Sequence, residues 1–179
     1  MDAKVLGFEI GASKLIALAG NTLGTVFSKI TTKTKNSEAT HDVLFNQLDT
    51  LYSRLSKRYK AKYIGITFPG AVSKKGIVVY APNMPGWKKY NLLKEAEKRF
   101  GLKAFVENDA NAQALAEKLY GYGKFYSNFI YLTIGTGIGG AIIIDNKLYS
   151  GHRGMGRRAG AHGNTEKWPW VWLREKWLP

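Results

Sequence analysis

The sequence predicts an α/β fold, a mixed β-sheet with helices on its faces. Three strand-like runs come first, with no helical period between them. The apolar spacing then changes from two to 3.6 over residues 38–58. Strands and helices alternate afterwards, the pattern of parallel β-α-β connections.

Residues Lys4 to Ile10 form an apolar run, and Leu15 to Ala19 form a second. Gly11-Ala12-Ser13 between them is a small-residue turn, so the pair reads as a tight hairpin. A third strand follows Gly24 through Val26, Phe27 and Ile30. Over 38–58, Val43, Leu44, Leu48, Leu51, Tyr52 and Leu55 are expected on one helical face, with Ser37 as a candidate cap. Tyr63–Phe68 is a strand ending at Pro69-Gly70, and Ile77–Tyr80 is another, ending at Ala81-Pro82-Asn83. A loop through Met84 and Trp87 leads to a helix around Leu92, Ala96 and Phe100, with Gly101 as its C-terminal glycine. Ala104–Glu107 is a short strand, and Asn108-Asp109 opens an Ala-rich helix to about Tyr120. Phe129–Ile134 and Ala141–Ile144 are strands around a glycine turn. The residues themselves show no internal repeat.

Composition narrows the function. The 179 residues are 45% hydrophobic, typical of a globular protein. No run reaches the roughly 20 apolar residues of a membrane span, and the first residues lack signal-peptide anatomy, so a cytoplasmic protein without a membrane partner is expected. There is no cysteine, which excludes disulfides and thiolate metal sites. The net charge is +14, but Lys57, Arg58, Lys60 and Lys62 follow one helix and Lys94, Lys98 and Arg99 lie on another. That dispersal favours solvated faces and attraction for anionic nucleotides over a nucleic-acid footprint. Removing residues 157–179, with five Lys/Arg and two Glu, still leaves +11.

Two turns have the composition of phosphate sites. In Gly11-Ala12-Ser13-Lys14, small residues let backbone N–H groups approach an anion, while Ser13 adds a hydroxyl and Lys14 a cation. Gly135-Thr136-Gly137-Ile138-Gly139-Gly140 has four glycines in six residues, more than a plain hairpin needs. It is neither a Walker loop nor a dinucleotide fingerprint. Asp109, between a strand and a helix, suits either an N-cap or a general base for a hydroxyl proton; on position alone the cap is the expectation. Asn108 and Asn83 are candidates for contacting a sugar hydroxyl, though a loop Asn is usually a turn residue.

Five segments in order carry a resemblance: Glu9-Ile10-Gly11-Ala12-Ser13-Lys14, Pro69-Gly70-Ala71-Val72, Ala81–Trp87, Glu107–Ala112 and Gly135–Gly140. Together, over residues 4–156, they resemble the ROK family of sugar kinases and repressors, especially its glucokinases. The resemblance implies an RNase H-like N-terminal domain of the actin-like ATPase type, with a hexose and ATP bound in the cleft to a second domain that is missing here. It implies Asp109 as catalytic base, and Asn83, Asn108 and Gly70 at the sugar. Gly11, Ser13, Lys14, Gly135, Thr136 and Gly137 would meet the ATP phosphates with Mg²⁺. Glu9 stands where the family has Asp, so it is the candidate Mg²⁺ carboxylate. The family's regulators carry an N-terminal winged helix-turn-helix, whereas this chain begins on the first strand, which favours the kinase reading. A non-catalytic sugar-binding fragment is the third alternative, and a homodimer is implied only for the intact protein.

After Gly156 the resemblance ends, and 157–179 reads as an aberrant basic tail holding four of the five tryptophans. Reading TGG one nucleotide later turns each Trp into Gly, which would place glycines at 168, 170, 172 and 177. Codons permitted at Val171, Leu173 and Leu178 then allow Cys, reproducing the Cys-x-Cys-Gly-x-x-Gly-Cys zinc motif of intact family members. The expectation is therefore a frame shift near Gly156 that removes the zinc ligands and the family's sugar-binding Glu and His. His162 alone does not make a tetrahedral site. Negligible kinase activity is expected of this polypeptide, and sequencing the gene tests the shift.

Overall fold

The computed structural model describes residues 4–35, 41–81, 83–134 and 138–149. Strands β1 (Val5–Ile10), β2 (Lys14–Gly20) and β3 (Val26–Lys33) form an antiparallel meander. Helix α1 (His41–Ser56) leads to β4 (Tyr63–Phe68), which lies parallel to β1. A small hairpin, β5 (Ala71–Val72) and β6 (Val78–Tyr80), precedes α2 (Leu92–Phe100). Strand β7 (Lys103–Asn108) then pairs parallel with β4, completing a five-stranded mixed sheet of order β3-β2-β1-β4-β7. The expected mixed sheet with flanking helices is present.

The core follows strand alternation. Leu6, Phe8 and Ile10 of β1 are buried, as are Ile64, Ile66 and Phe68 of β4, all pointing to one face. Helix α1 covers that face with Leu44, Phe45, Leu48, Leu51 and Leu55, and α2 adds Leu92, Ala96 and Phe100. Phe100 stacks on Phe8 with ring centroids 5.6 Å apart. Val43, expected on the buried face of α1, is 38% exposed, while Phe45 is fully buried. Val43 shares its side of the helix with Gln47, Thr50 and Arg54, so the buried stripe runs through 44, 48, 51 and 55 instead. The expected cap Ser37 lies outside the described residues.

Helix α3 (Asp109–Tyr120) runs from β7 to a second sheet, the antiparallel meander β8 (Phe129–Ile134), β9 (Ile138–Ile144) and β10 (Lys147–Leu148). Ala114 of α3 with Ala141 and Ile143 of β9 form a separate small core. The strand connectivity repeats that of β1–β3, a repeat carried by topology rather than residues. On the outer face of β8, Ile130, Leu132 and Ile134 are 67%, 56% and 81% exposed. The tail 157–179 lies outside the described residues. Among those described, no helix is long and apolar enough to cross a membrane.

Candidate functional site

Strands β1, β4 and β7 are mutually parallel, so their carboxyl ends share one sheet edge. Ligands of open α/β sheets bind outside such an edge. Here it gathers the first small-residue turn after Ile10, Gly70 after Phe68, and Asp109 after Asn108.

The junction of β7 and α3 is held by a chain of hydrogen bonds. Asn108 adopts extended dihedrals (φ −63°, ψ 148°), and its Oδ1 accepts from Asn111 N at 3.2 Å. It is therefore the N-cap, and Asp109 occupies the first helical position. This corrects the positional expectation of a cap at Asp109: Asn and Asp cap equally well, and the strand runs one residue into that pair. Released from capping, the Asp109 carboxylate is fixed through Oδ1, which accepts from Ala110 N and Asn108 Nδ2, both at 2.8 Å. Asn108 Nδ2 also donates to Gly70 O at 2.9 Å.

Gly70 is the joint between two arms of the site. A Cβ built there falls within 3.0 Å of Tyr80 O and lies 3.2 Å from Ala81 Cα, so β6 passes directly over it. Ala81 leads in two residues to Asn83, which is exposed in a turn closed by Met84 N donating to Ala81 O at 3.1 Å. Gly70 thus links Asn108-Asp109 on one side to the Asn83 loop on the other.

Two residues at this junction were not singled out from sequence. Glu107 Oε1 accepts from Asn108 N at 2.8 Å and from Asn111 Nδ2. Asn111 is 1% exposed, and its Oδ1 has no hydrogen-bond partner among the described residues. An amide four residues after a carboxylate in an otherwise Ala-rich helix was the available signal.

The first turn is tighter than its composition implies. Gly11 N donates to Lys14 O at 3.0 Å, while Thr34 Oγ1 donates to Gly11 O at 2.7 Å and Thr34 N to Ser13 O at 3.0 Å. The Gly11 N–H is thus engaged in closing the hairpin, and Gly11 serves as a close-approach residue, since a Cβ would lie 2.8 Å from Lys14 O. Lys14 is exposed at the start of β2. Gly135, Thr136 and Gly137 lie outside the described residues, but the base of their turn does not. A Cβ on Gly139 would meet Thr133 Cγ2 at 2.9 Å and lie 3.9 Å from Ala110 Cβ, so β9 begins against the first turn of α3.

Glu9 pairs in register with Thr67, and Thr67 with Glu107, so the three share a row on the sheet face away from α1 and α2. With strands about 4.8 Å apart, the two carboxylate-bearing backbones stand roughly 10 Å apart. Among the described residues no cluster of three or more His, Cys, Asp or Glu could hold a metal. Mg²⁺, however, is commonly bound through one or two carboxylates, with water and substrate phosphates completing its shell. The Glu9 carboxylate, which has no hydrogen bond or ion pair among the described residues, fits that requirement.

Comparison with known proteins bears on the family and the fold. The ROK family model matches residues 5–167, running past the Gly156 at which the motif resemblance stops. A glucokinase of Thermotoga maritima is 35% identical over 88% of this chain and 50% of its own length. A xylose repressor of Bacillus spizizenii is 31% identical over 87% of this chain and 41% of its own. The crystal structure of a ROK family glucokinase from Streptomyces griseus in complex with glucose and AMPPNP superposes with a TM-score of 0.78, at 33% identity, over 86% of this chain and 48% of that one. The chain spans about half the length of the curated relatives it matches. With the family model covering most of its residues and the fold shared with a solved kinase, the chain belongs to the ROK family.

Proposed function

We propose that this chain is the sugar-binding, catalytic-base half of a cytoplasmic, ATP-dependent hexose kinase, with glucose as the hexose. The observation that carries this reading is the Asp109 carboxylate, held by Asn108 and Ala110 at the carboxyl edge of the sheet and joined through Gly70 to the Asn83 loop. In the intact protein Asn83 and Asn108 orient the sugar, and Asp109 accepts the proton of the attacking hydroxyl as its oxygen bonds to the γ-phosphorus and the bond to ADP breaks. Catalysis of this kind is mainly positioning and charge stabilisation. The residues Gly11–Lys14 and Gly135–Gly137 would meet the phosphates, and Glu9 would hold Mg²⁺, which neutralises phosphate charge.

Calorimetric titration of the 179-residue chain with glucose, xylose and ATP·Mg²⁺ tests the reading. Glucose is expected to bind, with Asp109→Asn changing its Kd by less than about threefold, because a base acts on the transition state more than on ground-state binding. Absence of binding by both glucose and ATP overturns it. Preference for xylose would favour a sugar-responsive regulator, the alternative raised by the xylose repressor relative. We further propose that residues 157–179 are translated out of frame, so phosphorylation by this polypeptide is expected to be negligible; gene codons incompatible with the shifted reading refute the shift.

A further inference from the structure

The loop from Ala81 to Asn91 carries Asn83 and is anchored by Trp87, which is 1% exposed. Its indole packs against Phe68 (5.4 Å between centroids), Tyr90 (5.2 Å) and Phe45 (6.2 Å). Trp87 Nε1 has no hydrogen-bond partner among the described residues, so the indole ring itself is held by packing. The burial that drives such packing is not directional, and ring pairing orients the side chain rather than the loop backbone. Within the loop, Met84 N donates to Ala81 O and Trp87 N to Met84 O, both at 3.1 Å. Further along, Lys89 N donates to Val78 O at 2.8 Å, which ties the far end to β6.

The front of the loop has a directional tie from another element. His41, the first residue of α1, places Nε2 3.0 Å from Gly86 O. A carbonyl only accepts, so Nε2 carries the proton. The same ring stacks on Tyr90 with centroids 3.8 Å apart and stands edge-on to Trp87 at 4.6 Å. Arg99 of α2 steadies this corner, reaching Asp49 at 2.7 Å and Asp42 at 3.4 Å on α1, and Glu95 at 3.0 Å on its own helix. His41 therefore couples α1 to the segment three residues beyond Asn83.

We infer that His41 is a positioning residue for the sugar site: its hydrogen bond to Gly86 O and its stacking on Tyr90 set the placement of the Asn83 loop. The inference rests on the proposed role of Asn83 at the sugar. A consequence is that His41 governs affinity for the hexose and not for the nucleotide, whose described candidate turn, Gly11–Lys14, joins β1 to β2 and has no hydrogen bond to this loop among the described residues.

Three variants of the 179-residue chain test this: His41→Ala, His41→Gln, which keeps a donor, and His41→Phe, which keeps a stacking ring. Amide hydrogen exchange is read at Met84 and Trp87, with the β1–β2 hairpin amides as internal control, and Kd is read for glucose and for ATP·Mg²⁺. His41→Ala is expected to speed exchange at Met84 and Trp87 and weaken glucose about tenfold, the loss of one ordinary hydrogen bond, with ATP changed less than about twofold. His41→Gln and His41→Phe are each expected to recover part of both effects. Unchanged exchange at Met84 and Trp87 in His41→Ala overturns the inference, as does faster exchange with an unchanged glucose Kd, or equal weakening of glucose and ATP. If the unsubstituted chain binds no glucose, the sugar-site assignment of this loop falls, and if it binds no ATP·Mg²⁺ either the proposed function falls with it. The exchange data then decide separately whether His41 holds the loop.

Discussion

Replacing Gly70 by Ala probes the joint on which the two arms of the site meet. The added Cβ falls within 3.0 Å of Tyr80 O and 3.2 Å from Ala81 Cα, both backbone atoms that cannot rotate away. The β6 segment must move, and with it the run to Asn83. Overpacking of this kind costs about 1–3 kcal/mol. The shift also loosens the 2.9 Å bond from Asn108 Nδ2 to Gly70 O, worth about 1 kcal/mol. A total near 3 kcal/mol lowers Tm by roughly 6–12 °C in a protein of this size. Gly65→Ala is the control. It lies in the middle of β4 with no atom within 4 Å of its Cβ position, so it should stabilise by about 0.5 kcal/mol through reduced unfolded-state freedom. Differential scanning calorimetry reads both. A Gly70→Ala protein that melts within about 1 °C of the unsubstituted chain, or moves in the same direction as Gly65→Ala, refutes the joint.

Other outcomes follow from single contacts. Gly101 ends α2 at φ 64° with open space around its Cβ position, so Gly101→Ala should lose about 1 kcal/mol in urea unfolding from the backbone alone, and Gly101→Asn less. Asn108→Ala removes the α3 cap and the Gly70 bond, about 1 kcal/mol each, and thermal unfolding should register about 2 kcal/mol. Asn108→Asp keeps the cap but sets a carboxylate beside Asp109 and Gly70 O, and should be no more stable than the Ala variant. Burial, followed by the nearby Glu95 carboxylate, pushes the Tyr90 phenol up to about 12. Because the folded value is the raised one, its contribution is intact below about pH 10 and is lost as pH climbs from there toward 12. Alkaline titration at 295 nm should show a late phenol that Tyr90→Phe abolishes.

Much of the fold was legible because its signals are local. Alternation in β1 and β4, the 3.6-residue stripe of α1 and the glycine after Phe100 each depend on neighbours within one element. The misreadings have local causes too. Val43 reads as part of the buried stripe from sequence because a single apolar residue does not fix the phase of a helix; packing against β1 and β2 selects the side that takes in Phe45. Asp109 rather than Asn108 was expected as cap because either residue suits that position, and the end of β7 decided between them.

Sequence alone determined the order of the main strands and helices, though not the two-residue strands β5 and β10, and it raised the glycine turns and the candidate chemistry of Asn83, Asn108 and Asp109, since residue type and spacing carry that information. Only the tertiary structure decided that Gly70 joins Asn108 to the Asn83 loop, that Glu9 shares a row with Glu107, and that His41 reaches Gly86 across 45 residues. Those are long-range contacts set by parallel strand pairing and helix docking. Their partners are chosen by burial of the whole sheet face, a quantity that no short stretch of sequence contains.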